Sequence, residues 1–261
     1  MKIDLSARVA LITGGSRGIG RSAALLLAEC GSRIAFTYVS RKDAADEVVE
    51  AIGAERALAI RADAGSPDDV RRMVDETIGR FGRIDILVNN TAIHAINNNT
   101  AIHAINPFDG TDYDAWQRGW RRTIDVNLFG AANAAFLVIP WMKRQGGGKI
   151  INVASRSGFR GELEFPDYGA SKAGLMNLTK SLARTHAKQG IIATCVAPGY
   201  VETETSAHDL ERFRERIEAE IPLGRVATPD DVAKAILFLA SPLSDYLAGV
   251  TIDVNGGSYL R

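Results

Sequence analysis

The chain has 261 residues, 46% hydrophobic and 24% charged, a composition that suits a globular protein able to bury a core without metal or disulfide staples. Its 31 Lys and Arg balance 31 Asp and Glu, which excludes the one-sided charge of a nucleic-acid or acidic-membrane partner. The sequence shows neither a signal-peptide pattern nor a run of about 18 apolar residues, so the expected location is the cytoplasm, with Cys30 and Cys195 as buried, reduced thiols.

In chain order, the apolar run 9–13 reads as a buried strand and 21–30 as a helix. Strands follow at 34–38, 57–60 and 84–88, separated by helices at 44–52 and 68–81, the latter opened by Pro67. A long helical stretch runs from about Asp112 to Gln145. Then come strand 149–153, helix 168–188, strand 191–196, helix 229–239 and strand 250–254. This alternation predicts an α/β fold, a doubly wound parallel sheet of about seven strands with helices on both faces. No linker or composition shift divides residues 1–261, so a single domain is expected. Residues 89–97 read NNTAIHAIN, and residues 98–106 repeat that segment. Two short copies cannot build a solenoid. The expectation is a tandem duplication in an elongated surface loop at the mouth of the site. His94 and His103 within it have no other ligand type clustered with them, so no metal site is expected.

Directly after the first strand stands Thr13-Gly14-Gly15-Ser16-Arg17-Gly18-Ile19-Gly20. Glycines there let the backbone approach a pyrophosphate, and the following helix N-terminus presents unpaired N–H groups to it. Further motifs sit at strand ends: Asn89-Asn90-Thr91-Ala92 after the fourth, Ser155 after the fifth, and Pro198-Gly199-x-x-x-Thr203 after the sixth. Asn127 lies in the long helix, and Tyr168-x-x-x-Lys172 opens the next. With the Gly-x-x-x-Gly-x-Gly spacing, this set resembles the short-chain dehydrogenase/reductase family over nearly the whole chain. The resemblance implies a Rossmann fold with strand order 3-2-1-4-5-6-7 and a homotetramer.

The end of the second strand reads Thr37-Tyr38-Val39-Ser40-Arg41, with no acid to accept a ribose hydroxyl. Arg17 and Arg41 offer cations and Ser40 a hydroxyl for a 2′-phosphate, which points to NADP rather than NAD. The resemblance adds Ala62 and Asp63 against the adenine, although Asp63 equally suits a turn cap. It also adds Asn89, Asn90, Pro198, Gly199, Val201 and Thr203 along the cofactor. Ala92 replaces the family's glycine in the Asn-Asn turn. Asn89 and Asn90 follow the strand directly and are preferred over Asn98 and Asn99.

Tyr168 and Lys172 are one helical turn apart and share a face. A nearby ammonium lowers a phenol's pKa and makes it a usable acid or base. The resemblance implies that Lys172 also binds the nicotinamide ribose, that Ser155 rather than Ser157 holds the substrate oxygen, and that Asn127 anchors a water relay. The expected activity is an NADP-dependent oxidoreductase acting on a small carbonyl/alcohol pair or a 3-oxoacyl thioester, including one on an acyl carrier protein. Arg144, Lys143 and Lys188 are candidate contacts for such an acidic carrier. Phe159, Leu163 and Phe165 are expected to line the pocket, and the segment from Glu204 to Leu223, anchored by Leu210, Phe213 and Ile217, to form a substrate lid. The alternatives are a non-catalytic NADP-binding sensor, an NAD-dependent alcohol or sugar dehydrogenase of the same family, and a serine hydrolase. The last lacks a Gly-x-Ser-x-Gly elbow.

Overall fold

The computed structural model describes residues 3–93, 107–110 and 112–261. The second copy of the repeat, the last four residues of the first (94–97), His94, His103, Asn98 and Asn99 lie outside the described residues.

Strand β1 (Val9–Ile12) has only apolar side chains, all buried. They alternate between two cores. Ala10 and Ile12 pack on one face with Phe36 and Val88, while Val9 and Leu11 pack on the other with Leu87 and Ile150. A strand covered on both faces reads as a continuous apolar run, which is why the strands were visible in the sequence. The others are β2 (Arg33–Tyr38), β3 (Ala57–Arg61), β4 (Ile86–Asn89), β5 (Gly148–Val153), β6 (Ile191–Pro198) and β7 (Thr251–Val254). Among the described residues they form one seven-stranded sheet, order β3-β2-β1-β4-β5-β6-β7, with every neighbouring pair parallel.

Helices α1 (Gly18–Glu29) and α2 (Lys42–Ile52) cover the first face. Helix α3 (Pro67–Phe81) covers the second. Ser66 caps α3 by accepting from the Asp69 N–H, with Pro67 at its first position. The chain runs outward from β1 in one direction to β2 and β3, then returns to place β4 on the other side of β1. Ligands bind at such a switch point, at the carboxyl ends of the strands.

The stretch expected as one long helix is three pieces: α4 (Tyr113–Ile124), a wide π-helical turn (Asp125–Phe129) and α5 (Gly130–Arg144). The run Tyr113–Arg144 is apolar and long enough to span a membrane by composition. Ala131, Ala134, Ala135, Val138, Ile139 and Met142 are buried, so a core-facing side accounts for much of that character. The fourth strand begins at Ile86 rather than Ile84, because the Ile84 backbone pairs with the Gln145 side chain instead of the sheet. Asp85, 1% exposed, accepts from the Val9 N–H and from Arg8 and Arg83, which fixes the base of β1 against β4. The remaining helices are α6 (Ser157–Arg160), α7 (Pro166–His186), α8 (Ala207–Ala219) and α9 (Pro229–Ala240). Of the two cysteines, Cys195 is sealed in β6 and its thiol is pushed up to about 11 by burial, while Cys30 is only half-buried.

Candidate active site

A cleft of about 540 Å³ opens over the carboxyl ends of the strands. Its first wall is the turn between β1 and α1. Gly14 and Gly18 have φ of +69° and +49°, a region that favours glycine. Thr37 Oγ1 accepts from the Gly14 N–H at 2.9 Å, and the Asn90 amide donates to the Thr13 and Gly14 carbonyls at 3.0 Å each. Thr13 Oγ1 accepts in turn from the Asn90 and Thr91 N–H groups. The turn is thus held from both β2 and β4. Among the described residues no side chain caps α1, and its first turn carries no acid. Its N–H groups and partial positive charge suit a pyrophosphate.

Gly14, Ser16, Arg17, Gly18, Ile19, Tyr38, Ser40, Arg41, Ala62, Asp63 and Asn90 all line this half of the cleft. Two residues expected here do not. Gly20 is buried beneath the turn, where an added Cβ would collide with the Gly14 carbonyl, so it is a packing residue. Asn89, 4% exposed, donates to Asn152 Oδ1 at 2.9 Å inside the sheet. Both arginines read as free phosphate ligands carry carboxylate partners: Arg17 pairs with Glu204 at 2.8 Å and Arg41 with Asp43 at 2.7 Å. Asp63 is engaged on both oxygens, by the Gly65 N–H and by Arg122 at 2.6 Å, so it caps a turn as well as facing the cleft.

The second half is built by β5 and α7. Pro166 opens α7, and the buried Asp167 carboxylate accepts from Thr123 Oγ1 at 2.7 Å. That contact fixes the helix start and hence Tyr168. One turn on, Lys172 is 1% exposed, donates to the Val153 carbonyl at 2.7 Å, and lies 5.6 Å from the Tyr168 ring centroid. Burial pushes the ammonium down to about 8. Burial pushes the Tyr168 phenol up to about 12, against a lowering hydrogen bond with Ser155, so the lowering expected from the ammonium is outweighed here by loss of hydration. Ser155 also donates to Ser157 Oγ at 3.1 Å, while Ser157 donates to the Glu162 carboxylate. Of the two serines, Ser155 is therefore the one beside the phenol. Val153, Ser155, Tyr168, Lys172, Pro198, Gly199, Val201 and Thr203 line the cleft.

Asn127 sits in the π-helical turn, a device often found at functional sites. Its amide donates to the Ile93 carbonyl at 2.8 Å and to Ser171 Oγ at 3.1 Å, and its Oδ1 accepts from the Ile93 N–H. Both N–H atoms are used, so the side chain is a strut between the β4 loop and α7, and a water relay would need its backbone. Of the three predicted pocket residues only Phe165 lines the cleft. Phe159 stacks on Tyr259 in a separate apolar cluster, and Leu163 is 94% exposed. In α8, Leu210 and Ile217 are buried as expected, but Phe213 falls at a break in the helix and is exposed. Sequence reasoning missed Arg156, Tyr200 and Asp209 in the cleft wall. The one available signal was that Arg156 follows Ser155 at a strand's carboxyl end.

A family model described as enoyl-(acyl carrier protein) reductase matches residues 14–259. A 3-oxoacyl-[acyl-carrier-protein] reductase FabG from Staphylococcus epidermidis is 39% identical over 253 residues, covering 96% of this chain and 98% of that protein. Among solved structures, a short-chain dehydrogenase/reductase from Brucella melitensis, described as a glucose/ribitol dehydrogenase, superimposes with a TM-score of 0.88 at 31% identity over the whole of both chains. A blue fluorescent protein from a metagenomic library, solved with NADPH, gives 0.87 at 34% identity, covering 98% of this chain and 100% of that one.

Proposed function

The chain belongs to the short-chain dehydrogenase/reductase family, and from that premise we propose that it is an NADP-dependent oxidoreductase interconverting a carbonyl and an alcohol. The observation that carries this reading is a buried ammonium, Lys172, one helical turn from Tyr168, whose phenol is hydrogen-bonded to Ser155 in the same cleft. The cofactor supplies or accepts the hydride when bound. The α1 N-terminus would hold its pyrophosphate, and Gly18, with its open φ, would let the backbone approach. Tyr168 Oη gives its proton to the substrate oxygen in reduction and takes it back in oxidation. Ser155 Oγ donates to the same oxygen and positions it. Lys172 favours the phenolate once the proton has left.

A 3-oxoacyl thioester is the substrate class favoured by the Staphylococcus relative, and an acyl carrier protein is then its donor. The segment from Glu204 to Leu223 closes over the substrate, and exposed Phe129 and Phe136 give the helical run Tyr113–Arg144 an apolar face for a homotetramer of single-domain subunits. NADP is favoured because Tyr38 stands where a ribose-binding acid would repel a 2′-phosphate. An NAD-dependent dehydrogenase of the same family is the second reading, favoured by one observation: Arg17 and Arg41 both already have carboxylate partners.

Fluorescence titration separates the two. NADPH is expected to bind at least tenfold more tightly than NADH, with carbonyl reduction following the same order; equal affinities would reverse the cofactor assignment. Glu204→Gln frees Arg17 from an exposed ion pair worth about 0.2–1 kcal/mol. NADPH affinity should rise by up to about fivefold while NADH affinity stays put. A drop in NADPH affinity would mean that Glu204 does not compete for Arg17.

A further inference from the structure

Arg156 is 4% exposed, yet its guanidinium has no carboxylate or hydrogen-bond partner among the described residues. The guanidinium lies over the face of the Tyr200 ring, 5.0 Å from its centroid. Arginine is seldom buried without an anion, because losing its hydration is costly. Neighbouring carboxylates do not supply one. Glu162 accepts from Ser157 and pairs with Arg160 at 3.4 Å. Burial, and after it the second cation Arg160, lower the Arg156 pKa and outweigh the Glu162 and Glu220 carboxylates, which raise it, so the charge of this corner is left uncompensated.

The side chain is also placed for a ligand. The Arg156 N–H donates to the Pro198 carbonyl at 3.0 Å, and its own carbonyl accepts from the Phe159 N–H at 3.0 Å. Its root is therefore pinned between the ends of β5 and β6. The sealed side-chain atoms without a partner include none of Arg156, so the guanidinium nitrogens keep access to the cleft that Arg156, Tyr200 and Arg160 line together with Ser155 and Tyr168. A planar guanidinium fork matches a carboxylate bidentately. Arg156 follows Ser155 directly in the chain, and both line the one cleft.

We propose that Arg156 is a specificity-determining residue that receives a substrate carboxylate, so that among carbonyl compounds not held as thioesters the enzyme prefers oxo acids to neutral ketones. This rests on the oxidoreductase reading above for the carbonyl, but the anion site can be tested without turnover. The phosphodiester of a phosphopantetheine thioester offers related chemistry. It lies a whole pantetheine arm from the reacting carbonyl, too far for a cation adjacent to Ser155.

The test is calorimetric binding of 4-oxopentanoate and its methyl ester in the presence of oxidised NADP, which cannot reduce either. The parent should bind the acid at least tenfold more tightly than the ester. Arg156→Met should bring that ratio to about 1, with a melting temperature unchanged or raised. Arg156→Gln, which keeps part of the stem and donors, repeats the comparison if the first variant is insoluble. Equal affinities in the parent, or a ratio that survives both substitutions, would overturn the assignment. So would an Arg156-dependent preference for a phosphopantetheine thioester over its N-acetylcysteamine analogue with none for the oxo acid. If the binding ratio holds while NADPH reduces neither compound, the anion site stands and the oxidoreductase reading falls.

Discussion

Tyr168→Phe is expected to lower kcat for carbonyl reduction by about 10²–10⁴-fold, the usual range for removing a positioned general acid. The substitution deletes one oxygen and keeps the ring over Lys172, so the packing around α7 should survive. Its melting temperature should stay within a few degrees of the parent, and NADPH titration should change far less than turnover. The argument is geometric. Ser155 and Tyr168 are hydrogen-bonded partners in one cleft, and Glu162 holds the alternative serine. With the phenol gone, Ser155 can still polarise the substrate oxygen, but an aliphatic hydroxyl is a far weaker acid than a phenol and is a poor replacement as proton donor. Parental turnover in the Phe variant would sink the assignment of the proton donor.

The second large effect is a pH dependence of stability. Lys172 releases its proton at about 8 in the folded protein, against an ordinary 10.5, because burial disfavours the charge. Between those values the unfolded chain binds more protons than the native one. Stability therefore rises with pH across that window, and the penalty is fully present below about 8. Tyr168 acts in the opposite sense but later: its folded value near 12 exceeds the ordinary 10, so its contribution falls only above pH 10. From pH 8 to 10 the lysine dominates, and two pH units are worth up to about 3 kcal/mol. Urea unfolding of the parent and of Lys172→Met at pH 8 and pH 10 isolates it. The parent should gain on the variant as pH rises; curves that stay parallel would show that the ammonium is not desolvated.

Much of the fold was legible because parallel strands buried on both faces leave apolar runs, unbroken in Val9–Ile12 and interrupted only by Thr194 in Ile191–Pro198. The cleft residues were legible for a related reason. Chemistry sits at strand ends, where the glycine turn and Ser155 stand, and Tyr168 and Lys172 share one face at the start of a helix. What escaped was pairing over long sequence distance. Nothing local says that Glu204 reaches Arg17, 187 positions away, or that Gln145 clasps the Ile84 backbone. The loop between Ser155 and Tyr168 also misled. Phe159, Leu163 and Phe165 all look suited to a pocket, yet Phe159 stacks on Tyr259, Leu163 is exposed and only Phe165 lines the cleft. The break between α4 and α5 was invisible because one wide turn hardly disturbs an apolar period.

That wide turn sets the phase of everything after it. Each residue of an α-helix advances about 100° around the axis. In α5 the phase puts Ala134, Ala135, Val138, Ile139 and Met142 inside and Phe136 outside. Shortening the turn by one residue would advance the inward set by one position, to Ala135, Phe136, Ile139, Pro140 and Lys143. A bulky ring and a cation would then face the sheet in place of an alanine and a methionine. The length of Asp125–Phe129 is thus coupled to the composition of a helix that begins where it ends, and neither can drift without the other.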